Sequence, residues 1–282
     1  MQTDVLGVDV GGTAIKTWWA GAAGPTVPTP RDDGTGERTA DVIAGLAADL
    51  PVSAIGLAVP GIVDDEAGIA RHSVNLGWRD VPLRALVSER SGRPTTLTHD
   101  VRAGGVAEWR TGAGAGRDGA LLFAPLGTGL ALALVDASGR PAGNGWAGEV
   151  GQLRYPSGPH AGLRVEQVAS AGGLAARFGA PDAATVLAAS IAGDARAAAA
   201  WDETVEAVAE VLAWAVAVSG PATVVVGGGL ALAGEALFAP LRHAFAARLG
   251  ELPHPALVAA EHGSSAGALG AALLAGDLLA AG

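Results

Sequence analysis

The chain has 282 residues, and at about 150 residues per domain that length predicts two lobes, each able to bury a core. Half of the residues are hydrophobic and 16% are charged, which excludes the composition of a disordered chain. Acidic residues outnumber basic ones 28 to 18, and the resulting net charge of −10 repels phosphate backbones and anionic lipid, so neither nucleic acid nor membrane is expected as a partner. Cysteine is absent, which removes disulfides, thiolate metal sites and cysteine nucleophiles, and fits a reducing compartment. Met1-Gln2-Thr3-Asp4 opens without the pattern of a secretory signal. The longest apolar stretches, 211–218 and 266–276, fall short of the roughly 20 residues that span a bilayer. A soluble, cytoplasmic protein is expected.

In chain order, Val5 to Val10 reads as a buried strand, Gly11-Gly12 as a turn and Ala14 to Ala20 as a second strand, which together make a β-hairpin. Helical periodicity covers 38–50, and a strand at 54–59 is stopped by Pro60-Gly61. A helix at 82–91 begins near Pro82, Thr95 to Thr98 is β-rich, and a helix opens at Asp100 and ends in the glycine-rich stretch 112–119. The pattern restarts with a strand at 120–126, the turn Gly127-Thr128-Gly129 and a strand at 130–136, a weak repeat of architecture. Segment 137–165 has glycine and proline without periodicity and is expected to be an irregular, functional insertion. A long helix follows at 195–219, with Trp201, Val205, Val208, Val211, Leu212 and Ala215 on one side and Glu203, Glu206 and Glu210 more polar. The remainder reads as a strand at 222–226, the triplet Gly227-Gly228-Gly229, a helix at 233–249, a short strand at 256–259 and a helix from 264. Strands alternating with helices predict an α/β fold.

Each glycine turn has two readings. A tight hairpin needs glycine for positive φ whether or not anything binds. Missing Cβ atoms also let backbone N–H groups approach an anion such as phosphate. The joint occurrence of three such turns, at 11–12, 127–129 and 227–229, favours a nucleotide. Neither the G-x-x-x-x-G-K-[ST] loop nor a Rossmann fingerprint is present.

Taken in order, Asp9-Val10-Gly11-Gly12-Thr13, Val59-Pro60-Gly61, Asn75-Leu76-Gly77-Trp78, Asp100 at a strand end, Leu126-Gly127-Thr128-Gly129, Ala147-Gly148-Glu149-Val150-Gly151 and Gly227-Gly228-Gly229 resemble the ROK family of sugar kinases and repressors, within the actin-like ATPase superfamily. The resemblance covers essentially the whole chain. It implies two ribonuclease-H-like lobes with an interlobe cleft: an N-terminal lobe over 1–112, carrying sugar and phosphate contacts and completed by the last helix at about 264–282, and a C-terminal lobe over 113–263 on the nucleotide and dimer side. It also implies ATP and Mg²⁺ as cofactors, a sugar as substrate and a homodimer.

Asp100 ends a strand and opens a helix, so by position it is an N-cap. The same helix terminus favours a carboxylate able to accept a proton from a hydroxyl, and the resemblance makes it the catalytic base. Asp9 is either a hairpin cap or the residue that orients Mg²⁺, through water, at the phosphates. Thr13 and Thr128 offer hydroxyls and amides to the same phosphates, alongside Gly11, Gly12, Gly127 and Gly129, while Gly228 and Gly229 border the adenosine. Lys16, the single lysine, is a solvated strand residue or a neutraliser of phosphate charge. Asn75, Glu149 and Glu166 match positions that hydrogen-bond sugar hydroxyls in the family, and Gly61 either allows close approach near the sugar or simply ends its strand.

The pattern breaks in the sugar half. His99 stands where family kinases usually have Asn before the catalytic Asp, and Gln152 stands where they usually have His after the Ala-Gly-Glu glutamate. Both keep hydrogen-bonding capacity and are expected to touch the sugar. The family's cysteine-rich zinc run cannot exist here, and His160 reads as a surface-loop histidine. The leading expectation is ATP-dependent phosphorylation of a hexose or amino sugar at its 6-hydroxyl. The rivals are a catalytically silent sugar or nucleotide binder, a polyphosphate-dependent glucokinase, and a repressor, which would need a DNA-binding segment ahead of Val5.

Overall fold

The computed structural model describes residues 4–281, so three of the four N-terminal residues that lack a secretory-signal pattern lie outside it. The described residues divide into two compact units, one formed by 4–111, 139–147 and 264–281 and the other by 112–138 and 148–263.

The first unit is built on a sheet of order β3-β2-β1-β4-β8, with β1 Val5–Val10, β2 Ala14–Trp19, β3 Ala22–Pro28, β4 Ala54–Val59 and β8 Thr95–His99. Strands β1, β4 and β8 run parallel, and β2 and β3 return antiparallel. Side chains alternate across the sheet. Leu6, Val8, Val10, Ile55, Leu57 and Val59 enter one core with Ile43 of α1 (Glu37–Ala48) and Val87 of α2 (Leu83–Ser91). The other face carries Gly7, Asp9, Gly56 and Ala58, and against it lies the final helix, α9 (Ala266–Ala281). A Cβ at Gly7 would stand 1.9 Å from the Ala268 carbonyl oxygen, and one at Gly56 would stand 1.9 Å from that of Ala271. Gly270 meets Ala103 of α3 (Asp100–Thr111) as tightly, at 1.8 Å. Glycine is required wherever backbones approach this closely. This packing explains why the helical stretch Gly263–Ala281 is long and apolar enough by composition to cross a membrane, longer than the apolar run read from the sequence, while close to half of it is buried.

A small sheet of β5 (Ile62–Asp64), β6 (Ile69–Ser73) and β7 (Trp78–Val81), which the sequence reading did not anticipate, follows Gly61. Its β6–β7 loop presents Asn75. The buried Trp78 anchors that loop by donating its indole N–H to the Asp33 carbonyl at 2.7 Å. Segment 139–147, with the short strand β11 (Pro141–Ala142), joins this unit: Arg110 donates to the Gly139 carbonyl, and Gly145 donates to the Val63 carbonyl at 3.1 Å.

In the second unit, β9 (Leu121–Pro125), β10 (Ala133–Val135), β12 (Thr223–Gly227) and β13 (Ala256–Ala259) lie in the order β10-β9-β12-β13. Strand β10 is shorter than the expected 130–136 because Leu126 and Leu130 already pair across the turn and the Leu132 amide bonds the Gly148 carbonyl. Helices α4 (Ala171–Phe178) and α5 (Ala183–Ile191), absent from the sequence reading, pack with α6 (Ala195–Ser219) and α8 (Glu235–Leu249) around the core. The bounds of α6 agree with the sequence. Asp194 caps its start through the amides of Arg196 and Ala197, and Gly220 ends it at φ +56°.

Gly270→Ala forces a methyl into the Ala103 backbone, so its chemical-denaturation midpoint should fall by an amount equivalent to about 1–3 kcal/mol or more. An unchanged midpoint would show that α9 is not held at this distance.

Candidate functional site

Asp9 lies near the carboxyl end of β1, and Asp100 follows directly from β8, with Ala58 and Val59 of β4 between the two strands. The ends of parallel strands are where open α/β sheets place ligands. Because Asp9 shares the face of Gly7, it reaches the first turn of α9, where a Cβ on Gly267 would stand 2.9 Å from its Cγ. Lys16 is its cross-strand partner in the hairpin, and the Lys16 ammonium donates to the Ser264 carbonyl at 3.3 Å. Burial, and secondly the charge of Asp100, push the Asp9 carboxyl up to about 7, against an opposing pull from Lys16.

The adjoining turn is fixed from outside. The Gly11 amide donates to Ala14 O at 3.0 Å, Thr29 Oγ1 donates to the Gly11 carbonyl at 2.6 Å, and the Thr29 amide donates to the Thr13 carbonyl at 3.0 Å. Gly12 and Thr13 remain exposed. A Cβ at Gly12 would meet that of Asn75 at 3.2 Å, so the glycine turn and the Asn75 loop are neighbours. Gly61 adopts φ +103° beneath β6, where a Cβ would stand 2.2 Å from the His72 carbonyl oxygen, so its backbone conformation is demanded by packing. Asp100 Oδ1 accepts from the Val101 amide at 2.8 Å and lies 3.3 Å from Nε2 of the buried His99. Thus Asp9, Gly11, Gly12, Thr13, Lys16, Gly61, Asn75, His99 and Asp100 all belong to the first unit.

Gly127, Thr128, Gly129, Glu149, Gln152, Glu166, Gly228 and Gly229 belong to the second unit. The turn after β9 is held by α4: the Gly172 amide donates to the Gly127 carbonyl at 3.1 Å, and the Ser170 hydroxyl, which caps α4, lies 3.1 Å from the Thr128 carbonyl. Gly228, at φ +78°, begins a short helix, α7 (Gly228–Ala231), and rests on the backbone of Leu126, so the triplet adjoins the 127–129 turn. Gly229 is open to solvent. Glu166 sits beside Gly129, where a Cβ would stand 2.7 Å from its Oε2; Gln152 donates to that oxygen at 3.1 Å, and Arg164 pairs with Oε1 at 3.1 Å. Glu149 precedes the short 3-10 turn Val150–Gln152. His160 packs against Tyr155 with ring centroids 5.7 Å apart, and among the described residues no cluster could hold a metal through three His, Cys, Asp or Glu side chains.

Sequence reasoning missed a supporting network. Arg102, two residues past Asp100 and 1% exposed, pairs with Asp65 at 2.7 Å and donates to the carbonyls of Val63 and Gly145. Thr98 donates to the other Asp65 oxygen at 2.7 Å. The partners lie 37 residues apart in sequence, with no periodic signal linking them.

The raised Asp9 carboxyl penalises the folded state where Asp9 is charged, so its unfavourable contribution is small below the ordinary carboxylate range and grows as pH rises through about 7. Asp9→Asn should therefore raise the melting temperature at pH 8 and change it little near pH 4. Equal effects at both pH values would contradict the assignment.

The model of the ROK family matches residues 5–277. A glucokinase from Halalkalibacterium halodurans is 32% identical over 285 residues, covering 86% of this chain and 85% of that protein. Among solved structures, a ROK hexokinase from Thermus thermophilus superposes with a TM-score of 0.84 at 32% identity, covering 99% of both chains. A ROK family glucokinase from Streptomyces griseus, in complex with glucose and AMPPNP, superposes with a TM-score of 0.78 at 28% identity over 97% of this chain and 99% of that one. On the family match and the agreement of fold over its whole length, the chain belongs to the ROK family, with its actin-like ATPase fold, and is a carbohydrate kinase.

Proposed function

We propose that the protein transfers the terminal phosphoryl group of ATP to the 6-hydroxyl of a hexose or amino sugar, with Asp100 as the general base. The observation that carries this reading is the pairing of Asp9 and Asp100 at the ends of parallel strands beside an exposed glycine turn. The ATP donor is supported by the Streptomyces griseus glucokinase bound to AMPPNP, and the hexose by that enzyme's glucose and by the Halalkalibacterium halodurans glucokinase. Asp100 takes the proton from the acceptor hydroxyl as its oxygen bonds to phosphorus, and the bond from phosphorus to the bridging oxygen breaks to release ADP. Gly11, Gly12 and Thr13, and likewise Gly127, Thr128 and Gly129, offer amides and hydroxyls suited to phosphate. Gly228 and Gly229 border the adenosine. Asn75, Glu149, Gln152 and Glu166 hold sugar hydroxyls, which suit amide and carboxylate partners.

The residues present fit a divalent cation: Asp9 is a carboxylate disfavoured by burial and by a second carboxylate, with a single lysine to oppose them. Mg²⁺ would be held by Asp9 and would neutralise phosphate charge when bound. Lys16 completes that neutralisation. This reading places the enzyme in the cytoplasm as a homodimer, with support for self-association in the exposed Trp214 and Val218 of α6.

Sugar phosphate formation measured over a panel of hexoses and amino sugars, with ATP or polyphosphate as donor, should show turnover with ATP. Asp100→Asn should lower kcat by about 10²–10⁴-fold while sugar binding, followed by calorimetry, persists. Turnover undiminished in Asp100→Asn, or none with any sugar in the parent enzyme, would overturn the reading.

A further inference from the structure

Segment 137–165 is expected from the sequence to be an irregular insertion, yet its second half is a hydrogen-bonded hairpin whose foot carries two of the residues proposed to hold the sugar. The Val165 amide donates to the Leu153 carbonyl at 2.8 Å, the Tyr155 amide to the Leu163 carbonyl at 3.0 Å, and the Gly162 amide to the Tyr155 carbonyl at 2.9 Å. Arg154 lies opposite Arg164, and its guanidinium donates to the Gly162 carbonyl at 2.6 Å. One step outside the Val165–Leu153 bond, Gln152 donates to Glu166 Oε2 at 3.1 Å. A ribbon this short is marginal on its own, and its tip, Pro156 to Ala161, is longer than the tight turns that fix a hairpin's register. What holds it is packing. Val165 belongs to the core of the second unit, and Tyr155 and Leu163 lie against that core. Tyr155 also receives the tip, because the His160 ring folds back to a centroid distance of 5.7 Å. The Tyr155 hydroxyl is buried without a hydrogen-bond partner among the described residues, so the side chain acts through its ring.

We infer that Tyr155 is a positioning residue: its ring pins the hairpin 153–165 in the register that sets Gln152 against Glu166, and thereby shapes recognition of the sugar. This rests on Gln152 and Glu166 holding sugar hydroxyls. A slip of one residue turns the side chains of a strand to the opposite face and would part the Gln152 amide from the Glu166 carboxylate. Tyr155 itself needs no contact with the sugar.

Kinetics of Tyr155→Ala and Tyr155→Phe, with the fastest sugar of the panel as acceptor, test the inference. A pinned register predicts that Tyr155→Ala raises the sugar KM by about 10- to 100-fold, as for a lost hydrogen bond to a charged group, with kcat and the ATP KM within about twofold. Tyr155→Phe keeps the ring and loses only an unpartnered hydroxyl, so its sugar KM should stay within about twofold of the parent value. Equal damage from both substitutions would place the hydroxyl on a ligand, and damage to kcat and both KM values alike would make Tyr155 a general support of the fold; either result overturns the inference. Glu166→Ala in the same assay separates the two claims. An unchanged sugar KM there sinks the sugar assignment, whereas a raised one beside an unimpaired Tyr155→Ala sinks only the positioning role. Should Tyr155→Ala fail to fold, hydrogen exchange in the sugar-free parent decides: the pinned hairpin requires protected amides at Tyr155, Gly162 and Val165, and exchange at the rate of an open loop contradicts it.

Discussion

The closeness with which α9 lies on β1 and β4 governs the first unit. Gly7, Gly56 and Gly270 each leave no room for a Cβ, so backbone meets backbone where side chains would ordinarily intervene. The alternation of a strand then does the rest. The face that carries Gly7 also carries Asp9, and an approach close enough to need Gly7 brings the start of α9, at Gly267, against the Asp9 carboxylate. The structural glycines and the buried position of Asp9 are therefore consequences of one packing decision.

That decision has an electrostatic result. A charge withdrawn from water beside a second carboxylate is costly, and Lys16, its cross-strand partner, offsets only part of the cost. The protein tolerates this imbalance beside its glycine turn. On the other side of β4, Asp100 accepts from the amide of Val101 at the start of its own helix, and two residues further on the buried Arg102 ties α3 to Asp65. Asp100 thus stands at the start of a helix anchored by interactions that reach far along the chain.

Much of this was legible in the sequence because it is local. The hairpin around Gly11-Gly12, the strands at 54–59 and 95–98, and α6 all follow from runs, turns and periodicity within a few residues. What stayed hidden depends on distant partners. The strands β5, β6 and β7 are too short for a periodic signal and exist through mutual pairing and the Trp78 anchor. Glu166 gains its place beside Gly129 and Gln152 only once the irregular segment before it has folded. The ring of His99 is of the same kind: a sequence shows which residue precedes the aspartate, not where its ring nitrogens lie.

Asp9 is a carboxylate buried beside a second one within the first unit, and carboxyl ¹³C shifts followed through a pH titration measure the consequence directly. The account predicts that Asp9 in the ligand-free protein titrates near 7 and moves lower when Asp100 is replaced by asparagine. An Asp9 that titrates in the ordinary carboxylate range of about 4, and is indifferent to Asp100, would contradict it.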